Sequence, residues 1–306
     1  MRAYGFLEAG GPDRQAFLDV PVPEPGPDQL LVRVRAAGVN PGDWRLRNGE
    51  YGTVGPAVLG REVAGTVVEV GDGVTGFSPG DEVFGGCPGM VGGWAEQALV
   101  TASFAARRPE GVSASDASAL PVAAGTAHDA LDALALPAGA TLLVNGAGGG
   151  VGIPTVQLAR ARGLHVVGTA SEGKQDLLAE LGATAVVGGH PQVADHVRAA
   201  APHGVDGVFD LVGGDALRAV APLTDPARLF SVADKPLVAE LGGRDVPRDR
   251  STRVLDALAA LVASGDLDPF VRTALPFARV GEALARVEDG HTLGKVVVTL
   301  DTADGA

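Results

Sequence analysis

The 306-residue chain has one cysteine, Cys87. That scarcity excludes an intrachain disulfide and any metal centre built on several thiolates. Lysine is almost as rare, with only Lys174, Lys235 and Lys295 beside 21 arginines, so each lysine is worth inspecting. No uncharged apolar run approaches the ~20 residues of a membrane span. The opening MRAYGFLEAGGPD lacks the basic and apolar stretches of a secretory signal, and together these absences point to the cytoplasm. Positive charge is in deficit: a net charge of −13 argues against a nucleic-acid or anionic-membrane partner, so any anion must be held locally. There is no tandem repeat and no low-complexity linker. What the chain does have is 46% hydrophobic residues, enough for two closely packed domains with buried cores.

The N-terminal third reads as short strands, including residues 30–35 (LLVRVR), 63–70 (VAGTVVEV) and 82–84, separated by turn chemistry such as PVPEPGPD and GDGVTGFSPGD. This pattern predicts a small, partly open β-barrel. The glycine-rich loops 40–60 and 85–93 are long enough to be functional. Near residue 116 the style changes, beginning with a short helix-compatible stretch over 116–120. A helix over 125–136 leads into alternating strands (142–145, 165–169, 185–187, 208–211, 229–232) and helices (152–162, 173–181, 191–200, 216–221, 251–263). Such βα alternation predicts a doubly wound parallel sheet with Rossmann strand order. The tail has a helix over 277–287 and an apolar strand over 294–300. That strand either ends the parallel sheet or returns to the barrel.

Residues 141–152, TLLVNGAGGGVG, carry a strand into a glycine turn and a helix. A dinucleotide pyrophosphate needs backbone N–H groups at a helix N-terminus and no side chains in its way. The spacing Ala147-x-Gly149-x-x-Gly152 fits, with Ala in the first glycine position. Gly149 would let the pyrophosphate approach, Gly150 and Val151 line the turn, and Gly152 would let the helix pack on the strand. The second strand ends without the acidic residue that holds a ribose 2′-hydroxyl. Ser171 and Lys174 stand there instead, able to bind a 2′-phosphate, which points to NADP(H). In the alternative reading Ser171 caps a helix and Lys174 is a solvated first-turn residue.

Several long, ordered segments resemble the medium-chain dehydrogenase/reductase superfamily in its zinc-free quinone oxidoreductase branch: AAGVNPGDWRLRNGEY (36–51), VLGREVAGTVVEVGDGVTGFSPGDEVFG (58–85), GGWAEQALV (92–100), LPVAAGTAHDAL (120–131), VNGAGGGVG (144–152), LGATAVV (181–187), VFDLVGG (208–214) and GHTLGKVVV (290–298). The resemblance implies an α/β fold in two domains: a GroES-like β-barrel domain of residues 1–121 and 266–306, and a Rossmann doubly wound parallel-sheet domain of residues 122–265. It implies NADP(H) in a cleft between them and a tail strand returned to the barrel. Zinc-dependent members place a Cys in the segment matching 38–43 and a His-Glu pair in the segment matching 61–62. Here Val39-Asn40-Pro41 and Arg61-Glu62 stand there, so no metal site is expected.

The resemblance places Asn40 by the nicotinamide and substrate, Thr126 beside the cofactor and Lys295 near the cofactor phosphates. Each also has a plainer reading, as a turn residue for Asn40 and a helix cap for Thr126. Arg45 stands where relatives carry Tyr or Lys; it could steady an enolate, but its pKa is too high to serve as the acid. Tyr51 is the candidate proton donor, or packs on its loop. Asp43 reads as a helix cap, and Trp94 either narrows the site or packs the barrel. The expected activity is transfer of hydride from NADPH to a quinone or an activated C=C bond of a small molecule. The rivals are a non-catalytic NADPH-binding sensor and a trans-acting enoyl-thioester reductase with a basic entrance at Arg244, Arg248, Arg250 and Arg253. Relatives pair across a dimer through the Rossmann edge strand, so the resemblance implies a homodimer, although the segment 233–251 is short here and a shortened edge is blunted for pairing.

Overall fold

A computed structural model describes residues 1–290 and 292–300; His291, in the tail motif, lies outside them. The chain forms two units, Met1–Val122 with Arg250–Ala306, and Ala123–Asp249.

The first unit is organised on the long strand Gln29–Val39. Glu62–Val70 pairs antiparallel along it and is followed by Glu82–Gly86 and Ala105–Arg107. Register shifts between Leu31 and Val32 and between Val34 and Ala36 curl this pair, as bulges do. Gln97–Thr101 also pairs with Gln29–Val39. A second, three-stranded sheet sets Arg2–Phe6 between Gln15–Asp19 and Ala57–Val58. The tail strand Lys295–Thr299 runs antiparallel to Gln29–Val39, with Val296 opposite Val39. The tail therefore returns to the barrel, and this register carries Lys295 to the level of Asn40.

Apolar side chains of these strands, among them Leu30, Val32, Val63, Val83, Val100 and Val298, fill one core with the indole of Trp94. Trp94 is fully buried, and its Nε1 donates to the Gly38 carbonyl at 3.2 Å. It is barrel packing. A Cβ on Gly60, whose φ is +96°, would fall 2.4 Å from its ring.

The helix Thr252–Ser264, read from the sequence as the end of the parallel-sheet domain, belongs to the first unit. Its apolar face of Val254, Leu255, Leu258 and Ala259 is buried, and Thr252 donates to the Ser103 carbonyl at 3.3 Å. Amphipathic spacing shows that a helix buries one face but does not say on which domain, which is why the boundary falls at 249–250 and not at 265.

The second unit is a five-stranded, all-parallel sheet. Its order is Thr184–Val187, His165–Ala170, Thr141–Asn145, Gly207–Asp210, Leu229–Ser231, with the phosphate-loop strand in the centre. Its apolar side chains, Leu143, Val167, Val186, Val208 and Leu229, pack with Val197, Leu217 and Val238 of the helices. A sixth strand is reduced to one bridge between Phe230 and Arg244. The helix Lys235–Glu240, capped by Asp234 on the N–H of Leu237, fills the segment that the sequence reading left without an element.

Candidate functional site

In the second unit, Thr141–Asn145 ends at Gly146, and the helix Gly152–Ala161 begins six residues later. Gly146 has φ +89°, a conformation costly for a side chain, and its N–H and that of Ala147 bond to Thr169 O at 3.1 and 2.8 Å. The glycines of this turn differ in what they leave room for. A Cβ on Gly152 would lie 2.5 Å from Ala147 C and O and from Gly146 O, so the close approach of helix to loop requires glycine. A Cβ on Gly149 would meet only Gly146 O, at 3.6 Å. The protein itself does not demand glycine at 149, and the space left open is the kind a pyrophosphate fills. Gly150 and Val151 complete the turn, half-buried, with Val151 O accepting from Thr155.

Lys174 lies over this loop. A Cβ on Gly148 would fall 2.6 Å from Lys174 Cδ, so the lysine stem packs where a side chain would otherwise be. Burial of that stem lowers the Lys174 pKa from its ordinary value. Ser171 occupies the cap position of the short turn Glu172–Lys174, but its side chain makes no capping hydrogen bond. Thr126 is the second residue of the helix Gly125–Leu134 and nearly buried; the cap position is Ala124, so capping does not account for the threonine.

The ends of four parallel strands are tied by a buried polar chain that the sequence reading missed. Thr169 Oγ1 donates to Asn145 Oδ1 at 2.6 Å, Asn145 Nδ2 to Asp210 Oδ1 at 2.7 Å, and Ser231 Oγ to Asp210 Oδ2 at 2.6 Å. Gly146 N–H joins it through Thr169 Oγ1, and Gly213 N–H through Asp210. Burial raises the Asp210 pKa, against the pull of these donors. The chain thus fixes the phosphate loop and the 211–214 loop to one another. Its signal was a polar residue closing each apolar strand.

In the first unit the helix Pro41–Arg47 begins after Asn40, and Asp43 accepts from the Asn40 N–H at 2.8 Å, as its cap reading implied. Asp43 is fully buried and also accepts from Gly60 N–H at 3.3 Å. Burial raises its pKa to about 6, opposed by Arg61, whose Nε lies 3.6 Å away, and by the Asn40 N–H. The Arg61 Nη2 donates to Gly42 O at 2.6 Å, and a Cβ on Gly42 would collide with the guanidinium. The same guanidinium lies 5.4 Å from the centre of the Tyr51 ring, which is 54% exposed.

Asn40, 5% exposed, is held on its other side by Glu62 and Lys295. Its Nδ2 donates to Glu62 Oε1 at 2.8 Å, its Oδ1 accepts from Lys295 Nζ at 2.8 Å, and Lys295 also reaches Glu62 Oε1 at 2.8 Å and Val39 O at 3.4 Å. The buried ammonium therefore has Glu62, Asn40 and a backbone carbonyl as its partners, where the resemblance placed it by cofactor phosphates. Arg45 stacks 5.3 Å from Trp44 and directs Nε toward Glu50 at 3.8 Å. Among the predicted residues of this unit the structure thus joins Asn40 with Lys295, and brings Tyr51 to Arg61. Arg61 and Glu62 had been read only as absent or incomplete zinc ligands.

Arg244 and Arg248, half of the proposed basic entrance, are engaged locally. Arg244 donates to Ala227 O at 3.0 Å and stacks on Phe230, and Arg248 donates to Val246 O at 2.8 Å.

Comparison with known proteins matches residues 26–110 to the alcohol dehydrogenase GroES-like domain and residues 181–298 to the zinc-binding dehydrogenase family. The chain is 30% identical to the quinone oxidoreductase of Homo sapiens, with 98% of each chain covered. It is 32% identical to the chloroplastic NADPH-dependent alkenal/one oxidoreductase of Arabidopsis thaliana, over 97% of this chain and 79% of that one. Among solved structures, the quinone oxidoreductase from Coxiella burnetii superposes with a TM-score of 0.89 at 27% identity, covering 98% of this chain and 99% of its own.

One matched family is described as zinc-binding, and the residues here do not fit that metal. Position 61 is a guanidinium, residues 38–43 include no thiol, and Glu62 is committed to Lys295 and Asn40. Burial pushes the thiol of Cys87 far up, away from the thiolate a metal binds. Among the described residues no group of three or more His, Cys, Asp and Glu side chains is placed to hold a metal. No helix of the described residues is long and apolar enough to cross a membrane.

Proposed function

The chain belongs to the medium-chain dehydrogenase/reductase superfamily, in its quinone oxidoreductase branch, and on that premise we propose that it is an NADPH-dependent, zinc-independent reductase of quinones or of C=C bonds conjugated to a carbonyl. The observation that carries this reading is the donor set around residues 39–62. Hydrogen-bond donors and a guanidinium stand where a metal-dependent relative needs ligands. Hydride addition to an isolated carbonyl builds a localised alkoxide that asks for a strong electrophile. Addition to an enone or quinone spreads the negative charge, and positioned hydrogen-bond donors suffice to stabilise it.

Bound NADPH would supply the hydride. The turn Ala147, Gly149, Gly150, Val151 and Gly152 would hold its pyrophosphate on backbone N–H groups. Ser171 and Lys174 would take the 2′-phosphate: the serine hydroxyl is not spent on capping, and the lysine ammonium, partly stripped of water, gains by meeting an anion. In the second unit Thr126 would contact the cofactor, and in the first Asn40 would serve the nicotinamide and substrate. Asn40 would donate to the substrate carbonyl, and Arg45 would steady the charge that develops on it. Tyr51, exposed and beside Arg61, or a water molecule, would return the proton. Lys295 is assigned to holding Asn40 in place of a phosphate contact. The substrate is a small molecule and the proposed location is the cytoplasm.

NADPH absorbance followed with a panel of quinones, enones and enoyl thioesters tests this. We expect consumption with quinones or enones. Tight NADPH binding with no consumption by any acceptor would instead make the chain a binding protein, and consumption by enoyl thioesters alone would move the substrate class.

A further inference from the structure

We infer that Glu62, acting with Lys295, is a positioning residue that sets the direction of the Asn40 amide; the inference rests on the function proposed above. A carboxylate can only accept hydrogen bonds and an ammonium can only donate them. Glu62 Oε1 therefore fixes the side of Asn40 that carries Nδ2, and Lys295 Nζ fixes the side that carries Oδ1. Turning the amide over would set N–H groups against the ammonium and the carbonyl oxygen against the carboxylate. One orientation survives, and it leaves the second Nδ2 hydrogen for a ligand carbonyl.

The fold makes room for this arrangement. A Cβ on Gly38 would lie 2.1 Å from Glu62 Oε1 and 2.6 Å from Cδ, so the bare backbone at 38 is what admits the carboxylate. The barrel register, with Val296 opposite Val39, delivers Lys295. The remaining oxygen, Oε2, accepts the Val122 N–H at 2.7 Å. Glu62 and Lys295 are 0% and 3% exposed. Withdrawing such a pair from water is costly, and apolar replacements of buried pairs are often as stable. Stability alone is a weak reason for the pair, whereas orienting a polar side chain between them is a specific use.

The test is a double-mutant cycle on NADPH-dependent enone reduction. Glu62→Gln should lower kcat about 100-fold, as a misplaced reacting geometry does, with the Kd for NADPH unchanged. In an Asn40→Ala background the same substitution should change kcat by less than about twofold, because Glu62 acts through Asn40. Equal losses in both backgrounds would overturn the inference. Glu62→Gln leaves an ammonium buried without its counter-ion, so the neutral pair Glu62→Gln with Lys295→Met is measured beside it and should show the same loss. A second readout needs no activity. Hydrogen exchange of the Asn40 side-chain amide, followed by NMR, should be slow in the wild-type chain and fast in Glu62→Gln. Unchanged exchange would also overturn the inference. If the wild-type chain reduces no acceptor, the proposed reaction falls, and the exchange measurement still decides the link between Glu62 and Asn40.

Discussion

The stem of Lys174 lies on Gly148, and its charge sits at the start of a helix, half-withdrawn from water. A cation so placed gains most from an anion, and the 2′-phosphate is what distinguishes NADPH from NADH. Lys174→Ala should therefore raise the KM for NADPH about 10-fold or more while leaving that for NADH nearly unchanged, as loss of a charge-assisted hydrogen bond implies. Equal effects in steady-state kinetics with the two cofactors would remove Lys174 from the site. Asp43 gives a second residue-scale prediction. Its pKa is raised to about 6 in the folded chain, against an ordinary value of 3.8, so between those pH values the folded state holds the extra proton. Stability from this group must then fall as pH rises from about 4 to about 6 and level off beyond. Denaturant titrations across that range should show the slope in the wild-type chain and its loss in Asp43→Asn. At this scale the sequence was legible where chemistry is local: Asp43 was read as closing a helix start, and it does so from the third helical position, with Asn40 as the cap. It was opaque for Glu62 and Lys295, whose meeting depends on strand pairing across 233 residues.

The phosphate turn separates two demands that a glycine count merges. Gly152 is required by the protein, because a Cβ there strikes the backbone of residues 146–147, which cannot move aside cheaply. Gly149 is open toward its neighbours and constrained, on this account, only by the ligand. Gly152→Ala should lower unfolding stability by about 1–3 kcal/mol, the usual cost of overpacking, and weaken NADPH binding with it. Gly149→Ala should leave thermal unfolding unchanged and still weaken NADPH binding. Thermal unfolding and a fluorescence titration of each variant check both outcomes, and a destabilised Gly149→Ala would contradict the division. The elements themselves were readable from hydrophobic period: all five parallel strands and the helix after the glycine turn fall within a residue or two of the sequence reading. Lys235–Glu240 was not, since a helix of six residues is too short to display a period.

For the molecule as a whole, the sequence announced a barrel and a parallel sheet but not the allegiance of the pieces between them. Hydrophobic pattern alone left the tail strand two readings; the resemblance returned it to the barrel, and its register with Gln29–Val39 places it there. Thr252–Ser264 changed sides because amphipathicity carries no address. The tail strand's placement bears on the site, for a barrel completed by Lys295–Thr299 is what puts an ammonium and a carboxylate on either side of Asn40. Everything proposed here turns on metal-independent hydride transfer from NADPH to a conjugated acceptor. It is tested most directly with chelator-treated protein, NADPH deuterated at both C4 positions and a simple enone, with the product analysed by mass spectrometry and NMR. One deuterium at the β-carbon and a rate unaffected by chelation are expected. Product without deuterium at that carbon, or activity lost on chelation and restored by zinc, would contradict it.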